Sequence, residues 1–493
     1  MRSSLFTALL GALPAVMAPQ PAAVRNFHAE HVLGATFDMA VVGPTALEAA
    51  RAQAAALAEI ARLDRVLSSW CGDSELAVLN RSSGPHPVSP DLYRVIEACE
   101  AWRAQTGGAF NGRLGSLEAV WDGAGLEAPT ADALTTALVS AQTHVRLDPA
   151  ARTVDRGGAV FAIDALAKGY IVDAALTAAF TAVPAIKGAL LNIGGDMACR
   201  GSAPGAAGWR IGIAPGGQAD NAPAADAITL NGDRAVASSG PGSRDRLIGG
   251  QAFSRTLDPA TGAPAGTRLT TVIAPTAAEA DALATSLSLM PPATALAFAR
   301  SRPGVEARIV DHNGLIHTSA GWPANIAAAA PPAFIRAAAP ARGKPWPNRF
   351  VVSIGYIIYG GVEHPPLMVI YITDAHGALI RTVGYVGKAP ERFLDSNFVW
   401  FAAWRKKTPR PQIDNLTHPT KPPGRYHVIW DGLDDAGRPV PPGRYTINIA
   451  ASREKGGHGV QKIVLDLGDL PTAGLADPAP EAGSASARYG INQ

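Results

Sequence analysis

A segment rich in alanine and proline divides the chain into two parts of different character. Residues 325–348, NIAAAAPPAFIRAAAPARGKPWPN, show no sustained helical or strand periodicity, which is typical of a linker. Before this segment, strand-like and helix-like patterns alternate; after it, short aromatic and β-branched runs are separated by turn signals. The division predicts an α+β domain followed by a small antiparallel β-sandwich.

The two ends of the chain differ from the domains between them. Arg2, an apolar run and then small residues form the pattern of a secretory signal peptide, with an uncleaved membrane anchor as the alternative. The last residues, rich in Ala, Gly, Ser and Pro, are predicted to be disordered. The predicted boundaries are 1–23 for the signal peptide, 25–325 for the α+β domain, 326–348 for the linker, 349–470 for the sandwich and 471–493 for the tail.

Charge and cysteine usage narrow the class of protein. The 493 residues carry a formal net charge of only +2, which does not provide the basic surface of a nucleic-acid-binding protein. The three cysteines do not form a disulfide framework, and Cys99 is expected to be buried on the apolar face of a helix. With the signal peptide, these features predict an exported protein, periplasmic if the source is a bacterium.

A carboxylate and a hydroxyl are placed one helical turn apart in the segment 276–290. Thr276 and Glu279 have the spacing of a capping box that would start a helix. Residues four apart share one helix face, so the side chains of Asp281 and Thr285 are expected to lie side by side. Two hard oxygen ligands so placed suit Mg²⁺ or Ca²⁺, although the same spacing is common on solvated helices.

Three further motifs have both a functional and a structural interpretation. Gly-Gly-Asp after an apolar strand admits a close ligand or is only a tight turn. A lysine near the start of a helix suits a diphosphate or is only a snorkelled side chain. In a turn-rich loop, a carboxylate either takes part in the function of the site or only stabilises the turn by hydrogen bonds. The residues concerned are Gly194, Gly195 and Asp196, then Lys168 on a helix that Asp164 would cap, then Asp258 with Thr261.

Taken in order along the chain, these motifs and several others resemble the ApbE-type FAD:protein FMN transferases. The blocks are VLGATF, SSWCGDSELAVLN, TGGAFNGRLGSLEAVW, IDALAKGYIVD, LLNIGGDMACRG, WRIGIAP, AVASSG, LDPATGAP and VIAPTAAEADALAT. The resemblance spans about residues 28–300. It implies a T-fold-like α+β domain, an FAD site, and Mg²⁺-dependent transfer of FMN to a Ser or Thr hydroxyl of an acceptor protein with release of AMP.

The resemblance also implies roles for individual residues. Asp281, Thr285 and the backbone carbonyl of Ala165 match the family's metal ligands. The implied cofactor-binding residues are Leu33, Glu75, Ala109, Phe110, Asn111, Lys168, Gly194, Gly195 and Asp196, with Asn80 beside Glu75.

This chain departs from the family pattern near its expected catalytic groups. Arg255 stands where the family has a histidine that assists deprotonation of the acceptor hydroxyl, and arginine cannot act as a general base. Asp258 is the predicted substitute. Asn111, Gly112 and Arg113 replace a typical Asp-Pro-Thr, and Ala162 stands where an acidic residue is common.

Two functional hypotheses result from the motifs and these departures. The first is an exported flavin transferase that serves a redox protein, with a membrane-bound redox partner as a further candidate. The second is a degenerate FAD-binding or scaffolding protein of a periplasmic redox system with little or no transferase activity, a hypothesis that the missing histidine motivates. The C-terminal segment WDGLDDAGRPVPPGRYTI resembles the immunoglobulin-like modules of flagellar hook-capping proteins.

Overall fold

The computed structural model describes most of both predicted domains. The predicted signal peptide, and the predicted linker apart from residues 346–347, lie outside the described residues. Within the described part, no helix is long and apolar enough to cross a membrane. The described residues are 24–124, 127–203, 208–213, 226–240, 245–248, 251–265, 269–322, 346–347, 350–358, 366–387, 417–418, 424–436, 438–453 and 457–491.

The N-terminal domain is built on an antiparallel sheet in which the spatial order of the strands differs from their order in the sequence. Eight strands of the described chain pair in the order β1-β2-β6-β7-β10-β13-β14-β15, and shorter strands form three small separate ladders. The strands are β1 Val24–Val32, β2 Ala35–Val42, β3 Pro85–Pro87, β4 Arg146–Asp148, β5 Thr153–Asp155, β6 Gly188–Ile193, β7 Asp196–Gly201, β8 Trp209–Ile213, β9 Asp226–Leu230, β10 Arg234–Ser239, β11 Arg246–Ile248, β12 Gln251–Phe253, β13 Leu269–Ala274, β14 Glu306–Val310 and β15 Ile316–Thr318.

Helices cover one face of this sheet. Along β2 the side chains of Phe37, Met39 and Val41 alternate inward and belong to one hydrophobic core with buried residues of α1, α6 and α7. The opposite face is covered by the β8–β9 hairpin, whose Trp209 and Ile228 are buried. The helices of the described chain are α1 Ala46–Leu67, α2 Glu75–Arg81, α3 Pro90–Gln105, α4 Gly115–Asp122, α5 Ala131–Ala141, α6 Asp164–Ala182, α7 Ala277–Ser288 and α8 Pro292–Arg300.

Three helices of the N-terminal domain begin in different ways. Thr45 and Glu48 form a complete capping box before α1. At α7 the Thr276 side chain accepts from the amide of Glu279, but the Glu279 carboxylate pairs with Arg302 at 3.2 Å, so half of the predicted box is wrong. The prediction that Asp164 caps α6 is also wrong. Asp164 is the first helical residue, no side-chain cap bond is made, and its carboxylate accepts from Ser69 Oγ at 2.9 Å.

The C-terminal domain is a sandwich of two antiparallel sheets. Among the described residues, one sheet has the order β20-β16-β24-β23 and the other β19-β18-β17-β21-β22, with one parallel pair between β18 and β19. Inward residues of both sheets, such as Ile354 and Ile370, form one core. The strands are β16 Phe350–Ile358, β17 Leu367–Asp374, β18 Leu379–Val386, β19 Thr417–His418, β20 Gly424–Trp430, β21 Gly443–Ser452, β22 His458–Leu467, β23 Thr472–Ala476 and β24 Ala485–Ile491.

The prediction of a disordered tail from residue 471 is wrong. Both β23 and β24 lie in that segment, and β24 pairs with β16 in the interior of its sheet. Its inward residues are small or aromatic, with Ala485, Ala487 and Tyr489 at most 3% exposed. The composition resembles that of a disordered tail, but the two-residue alternation of small and polar side chains is that of a strand.

Ending the chain at Leu470 is expected to unfold the sandwich. The deletion removes Tyr489, which is fully buried and packs edge-on against Phe350, and it leaves one side of β16 unpaired. Loss of a buried aromatic residue alone costs about 3–5 kcal/mol. Differential scanning calorimetry should show loss of one unfolding transition. A chain ending at Ile491 is the control and should unfold as the full chain does; an unchanged transition in the shorter chain would restore the disordered-tail interpretation.

Candidate functional site

Two tight hairpin turns lie at the same end of the eight-stranded sheet. Leu33 and Gly34 join β1 to β2, and Gly194 and Gly195 join β6 to β7. The amide of Gly194 donates to the carbonyl oxygen of Thr36 at 3.1 Å, which fixes the second turn beside the first. Both glycines of the second turn are exposed, and a β-carbon at Gly195 would meet only open space. The turn therefore leaves its backbone open to a ligand.

Leu33 adopts a backbone conformation that leucine rarely takes. Its φ is 52°, and with Gly34 at 66° the pair has the positive φ angles of a type I′ hairpin turn. A residue with a β-carbon in this region costs about 1 kcal/mol or more, and such strain is concentrated at functional sites. Leu33 is half-buried at the sheet end where the glycine turn also lies.

A buried ion pair stands next to the glycine turn. Lys168 lies in the second turn of α6, and its Nζ is 2.7 Å from Oδ2 of Asp196, the first residue of β7. Asp196 is 2% exposed, and its Oδ2 accepts no hydrogen bond of good geometry from the described residues. The attraction is therefore chiefly ionic. Loss of either partner would leave the other charge buried without compensation.

The side chain of Asp281 reaches from α7 to the same turn of α6. Its Oδ2 accepts from the amide of Gly169 at 3.2 Å. In an α-helix that amide points towards the carbonyl oxygen four residues earlier, which belongs to Ala165. Asp281 Oδ2 and the Ala165 carbonyl oxygen therefore converge on one amide. Thr285 follows Asp281 by one turn on α7 and is half-buried, so the three predicted metal ligands lie in one region.

The charges around Asp281 suit a cation. Burial raises the pKa of Asp281 well above its ordinary value, and the carboxylates of Asp196 and Asp164 raise it further, while Lys168 lowers it. One ammonium group faces three carboxylates, so a divalent cation would offset the excess negative charge. The described residues contain no group of three or more His, Cys, Asp or Glu side chains arranged to hold a metal. The predicted set combines one carboxylate with a hydroxyl and a carbonyl, all of them hard oxygen donors.

Contact between α6 and α7 depends on a glycine and a buried carboxylate. A β-carbon at Gly169 would lie 2.3 Å from the carbonyl oxygen of Ala277, so only glycine permits this spacing. One turn later, Asp173 accepts from the amides of Ala277 and Ala278 at 2.9 and 3.0 Å and caps the start of α7. These contacts position Asp281 against α6.

Glu75 and Asn80 hold backbone segments around the site. Glu75 Oε1 accepts from the amide of Ser89, at the start of α3. The Asn80 amide bonds both the carbonyl oxygen and the N–H of Phe161, at 2.9 and 2.8 Å, and so fixes the segment that leads into α6. Ligand contact by these residues stays a prediction.

The predicted block 109–111 is divided between core and surface. The Phe110 ring is 1% exposed and belongs to the core between the sheet and the helices. Its side chain therefore has no open face for a ligand in this structure. Ala109 and Asn111 are half-buried, and Asn111 Oδ1 accepts from the amide of Arg113. Ligand contact in this block therefore falls to Ala109 and Asn111, and it stays a prediction.

The carboxylate of Asp258 is engaged in its own turn. Oδ1 accepts from the amide of Ala260 and Oδ2 accepts from Thr261 Oγ1, both at 2.9 Å. These are the contacts of the structural interpretation. The catalytic role of Asp258 stays a prediction.

Sequence reasoning missed several charged residues near the site. Asp122 of α4 accepts from Arg246 Nε at 2.6 Å and lies 3.3 Å from a guanidinium nitrogen of Arg255. Arg255 also stacks on Trp70, 5.0 Å from the ring centroid. One turn before Asp122 on the same helix is Glu118. Only their four-residue spacing in α4 could have linked Glu118 and Asp122 in the sequence.

Comparisons with known proteins match both domains. The model of the ApbE family matches residues 33–309, and that of a family described as a predicted periplasmic protein, DUF2271, matches residues 359–483. The FAD:protein FMN transferase of Treponema pallidum is 31% identical over 294 residues, 54% of this chain and 80% of the relative. That of Klebsiella pneumoniae is 27% identical over 310 residues, 60% of this chain and 87% of the relative.

Solved structures agree with the sequence comparisons. The ApbE protein of Thermotoga maritima is 26% identical with a TM-score of 0.55, covering 61% of this chain and 99% of that one. The flavinyl transferase ApbE of Pseudomonas stutzeri, 24% identical with a TM-score of 0.53, covers 63% and 100% and is similar in fold. The predicted fold class, an α+β domain followed by a β-sandwich, is thereby confirmed. Since the ApbE match extends over more than half of the residues, the chain belongs to the ApbE family.

Proposed function

We propose that this chain transfers FMN from FAD to a Ser or Thr hydroxyl of an acceptor protein and releases AMP. The observation that carries the proposal is the convergence of Lys168, Asp196 and Asp281 beside the open glycine turn. These three side chains combine one ammonium group with two carboxylates that suit a divalent cation. Next to an exposed backbone turn, such a set suits a substrate that carries a diphosphate. The names of the relatives, FAD:protein FMN transferase, support this choice of substrate and reaction.

The chain's own residues would divide the work of binding and positioning. Lys168, which is partly exposed, would offer its ammonium group to the diphosphate while remaining near Asp196. Leu33 and the turn at Gly194 and Gly195 would contact the flavin nucleotide from the sheet end. Asp281, Thr285 and the Ala165 carbonyl would hold Mg²⁺. When bound, the ion would offset negative charge on the diphosphate oxygens as the bond to AMP breaks.

Export to the periplasm is part of the proposal. It is supported by the signal-like N-terminus and by the description of the C-terminal family as a predicted periplasmic protein. The acceptor would then be an exported redox protein, membrane-bound or soluble. If the signal is not cleaved, the transferase itself would be anchored. Cell fractionation tests the periplasmic localisation, and N-terminal sequencing of the mature protein tests cleavage of the signal peptide.

The transfer itself is tested with purified protein, FAD and an acceptor that carries a Ser/Thr target, with and without Mg²⁺. The expected result is equal amounts of AMP and FMN-modified acceptor, both dependent on the ion. AMP and free FMN without adduct would identify a hydrolase. FAD binding without any product would favour the binding-protein hypothesis.

Replacing Leu33 by Asn is expected to stabilise the domain and weaken FAD binding. Asn tolerates positive φ at this turn position, so the free energy of unfolding should rise by about 0.5–1 kcal/mol. Loss of the apolar side chain should weaken FAD binding by about tenfold. Chemical denaturation and fluorescence titration with FAD measure the two effects. Leu33→Met keeps both the strain and an apolar contact, and should change neither quantity appreciably. Unchanged FAD affinity in Leu33→Asn would remove Leu33 from the site.

A further inference from the structure

One face of α4 carries two carboxylates, and α4 begins beside the segment that leads into α6. Glu118 and Asp122 are one turn apart on this face, while Leu117 and Trp121 point into a separate apolar cluster. The Asp122 carboxylate is paired with Arg246 and Arg255, which belong to the segment of β11 and β12. Glu118 has no such pairing described among the residues of the structure. Of the two carboxylates on this face, that of Glu118 is partly buried and is the one available to accept a proton.

Asp164 links this face electrostatically to Asp281. The amide of Gly115 at the start of α4 donates to the Val160 carbonyl oxygen at 2.9 Å, which brings α4 beside the segment that enters α6. Asp164 is the first residue of α6, and the charge of its carboxylate raises the pKa of both Glu118 and Asp281. Glu118 and Asp281 therefore both lie within electrostatic range of the Asp164 carboxylate.

The arginines beside Glu118 cannot accept a proton. Arg255 is engaged with Asp122 and stacked on Trp70, and Arg246 donates to Asp122. A guanidinium stays protonated at any working pH. Attack by a hydroxyl on phosphorus still requires a group that removes the hydroxyl proton. The Asp258 carboxylate already accepts two hydrogen bonds within its turn.

We propose that Glu118 is the catalytic residue that takes the proton from the acceptor hydroxyl. The inference rests on the proposed transfer. In the step, the hydroxyl oxygen forms a bond to the phosphorus of the FMN half, and the bond from that phosphorus to the bridging oxygen breaks. The electron pair of the broken bond leaves with AMP. The hydroxyl proton passes to the Glu118 carboxylate and then to solvent.

The environment of Glu118 suits this role at neutral pH. Burial raises the pKa of Glu118 to about 7, and the carboxylates of Asp164 and Asp122 also raise it, while Arg246 and Arg255 lower it. A base whose pKa lies near the working pH is present in its ionised form and still holds a proton effectively. Since only the ionised form accepts a proton, the transfer rate should rise through pH 7 and level off above it.

The test compares Glu118→Gln with wild type from pH 5.5 to 9, with Mg²⁺, FAD and the acceptor present. Transfer at pH 8 should fall by about 10²- to 10⁴-fold, and the rise near pH 7 should disappear. FAD affinity and melting temperature should stay close to wild type, because the described residues form no hydrogen bond or ion pair with this carboxylate. Glu118→Asp should retain part of the activity with the pH-dependent rise preserved. The control is Glu97→Gln, an exposed glutamate of α3, which should behave as wild type.

Each other outcome overturns a specific statement. Wild-type rates and an unchanged pH profile in Glu118→Gln would overturn the role of Glu118 and leave the transfer proposal standing. A slow variant that keeps the wild-type rise near pH 7 would assign that rise to another group and would also overturn it. If wild-type protein gives neither AMP nor adduct, the proposed function itself fails and this inference falls with it.

Discussion

Asp281→Asn is expected to abolish AMP release and FMN transfer without destabilising the protein. The amide removes the one carboxylate of the predicted metal set, so activity should fall by at least about 100-fold. Stability should be equal to or above that of wild type at neutral pH. The ionised carboxylate is disfavoured in the folded protein by burial and by Asp196, and a neutral amide removes that cost. AMP release, the Mg²⁺ dependence of FAD binding and the melting temperature are the three measurements.

An exposed aspartate provides the matched control for this substitution. Asp132 lies in the first turn of α5, and Asp132→Asn should keep activity within about twofold, as expected for a surface change away from the site. Retained AMP release in Asp281→Asn would remove Asp281 from the reaction. A large drop in melting temperature would instead show that its carboxylate is needed for folding.

The second large effect is expected from Gly169→Ala. The added β-carbon would meet the Ala277 carbonyl oxygen at 2.3 Å, so α7 must move away from α6. Overpacking of this kind costs about 1–3 kcal/mol. The movement would also withdraw Asp281 from the Gly169 amide and the Ala165 carbonyl, so Mg²⁺ dependence should shift to higher concentration. Denaturant unfolding and Mg²⁺ titration of AMP release measure the two consequences.

Gly72→Ala is the corresponding control, because a β-carbon there meets no atom within 4 Å. It should leave stability unchanged or slightly raised. A neutral result for Gly169→Ala would mean that α6 and α7 can separate without cost. The close contact would then not be what positions Asp281.

Local patterns in the sequence predicted the parts of the site that lie within one element. The strand-like runs at residues 37–43, 188–193, 209–214 and 269–274 of the sequence correspond to β2, β6, β8 and β13. The spacing of Asp281 and Thr285 placed both on α7, and the glycine pair formed a turn. Each of these features follows from a period of 3.6 or 2 residues, or from a turn residue.

Features that depend on distant segments were not predictable in this way. The carboxylate of Asp164 was expected to cap its own helix, but it accepts from Ser69, 95 residues earlier. The role of Glu118 depends on Arg246, Arg255 and Asp164, none of which is near it in sequence. The tail was predicted to be disordered from its composition. In the structure β24 pairs with β16, which lies more than a hundred residues earlier in the chain. A local pattern can indicate a strand, but it does not identify a partner at such a distance in one sequence.

The contact between α6 and α7 has a consequence for the order of events during folding. The hydrogen bonds that join them link residues 104, 105 and 112 positions apart, and β6, β7 and β10 must be in place between them. Closing such long loops is slow, because their entropy is lost before the contacts form. The proposed nucleotide site can therefore form only after these distant segments have come together. FAD binding at the proposed site would then report that the whole domain has folded.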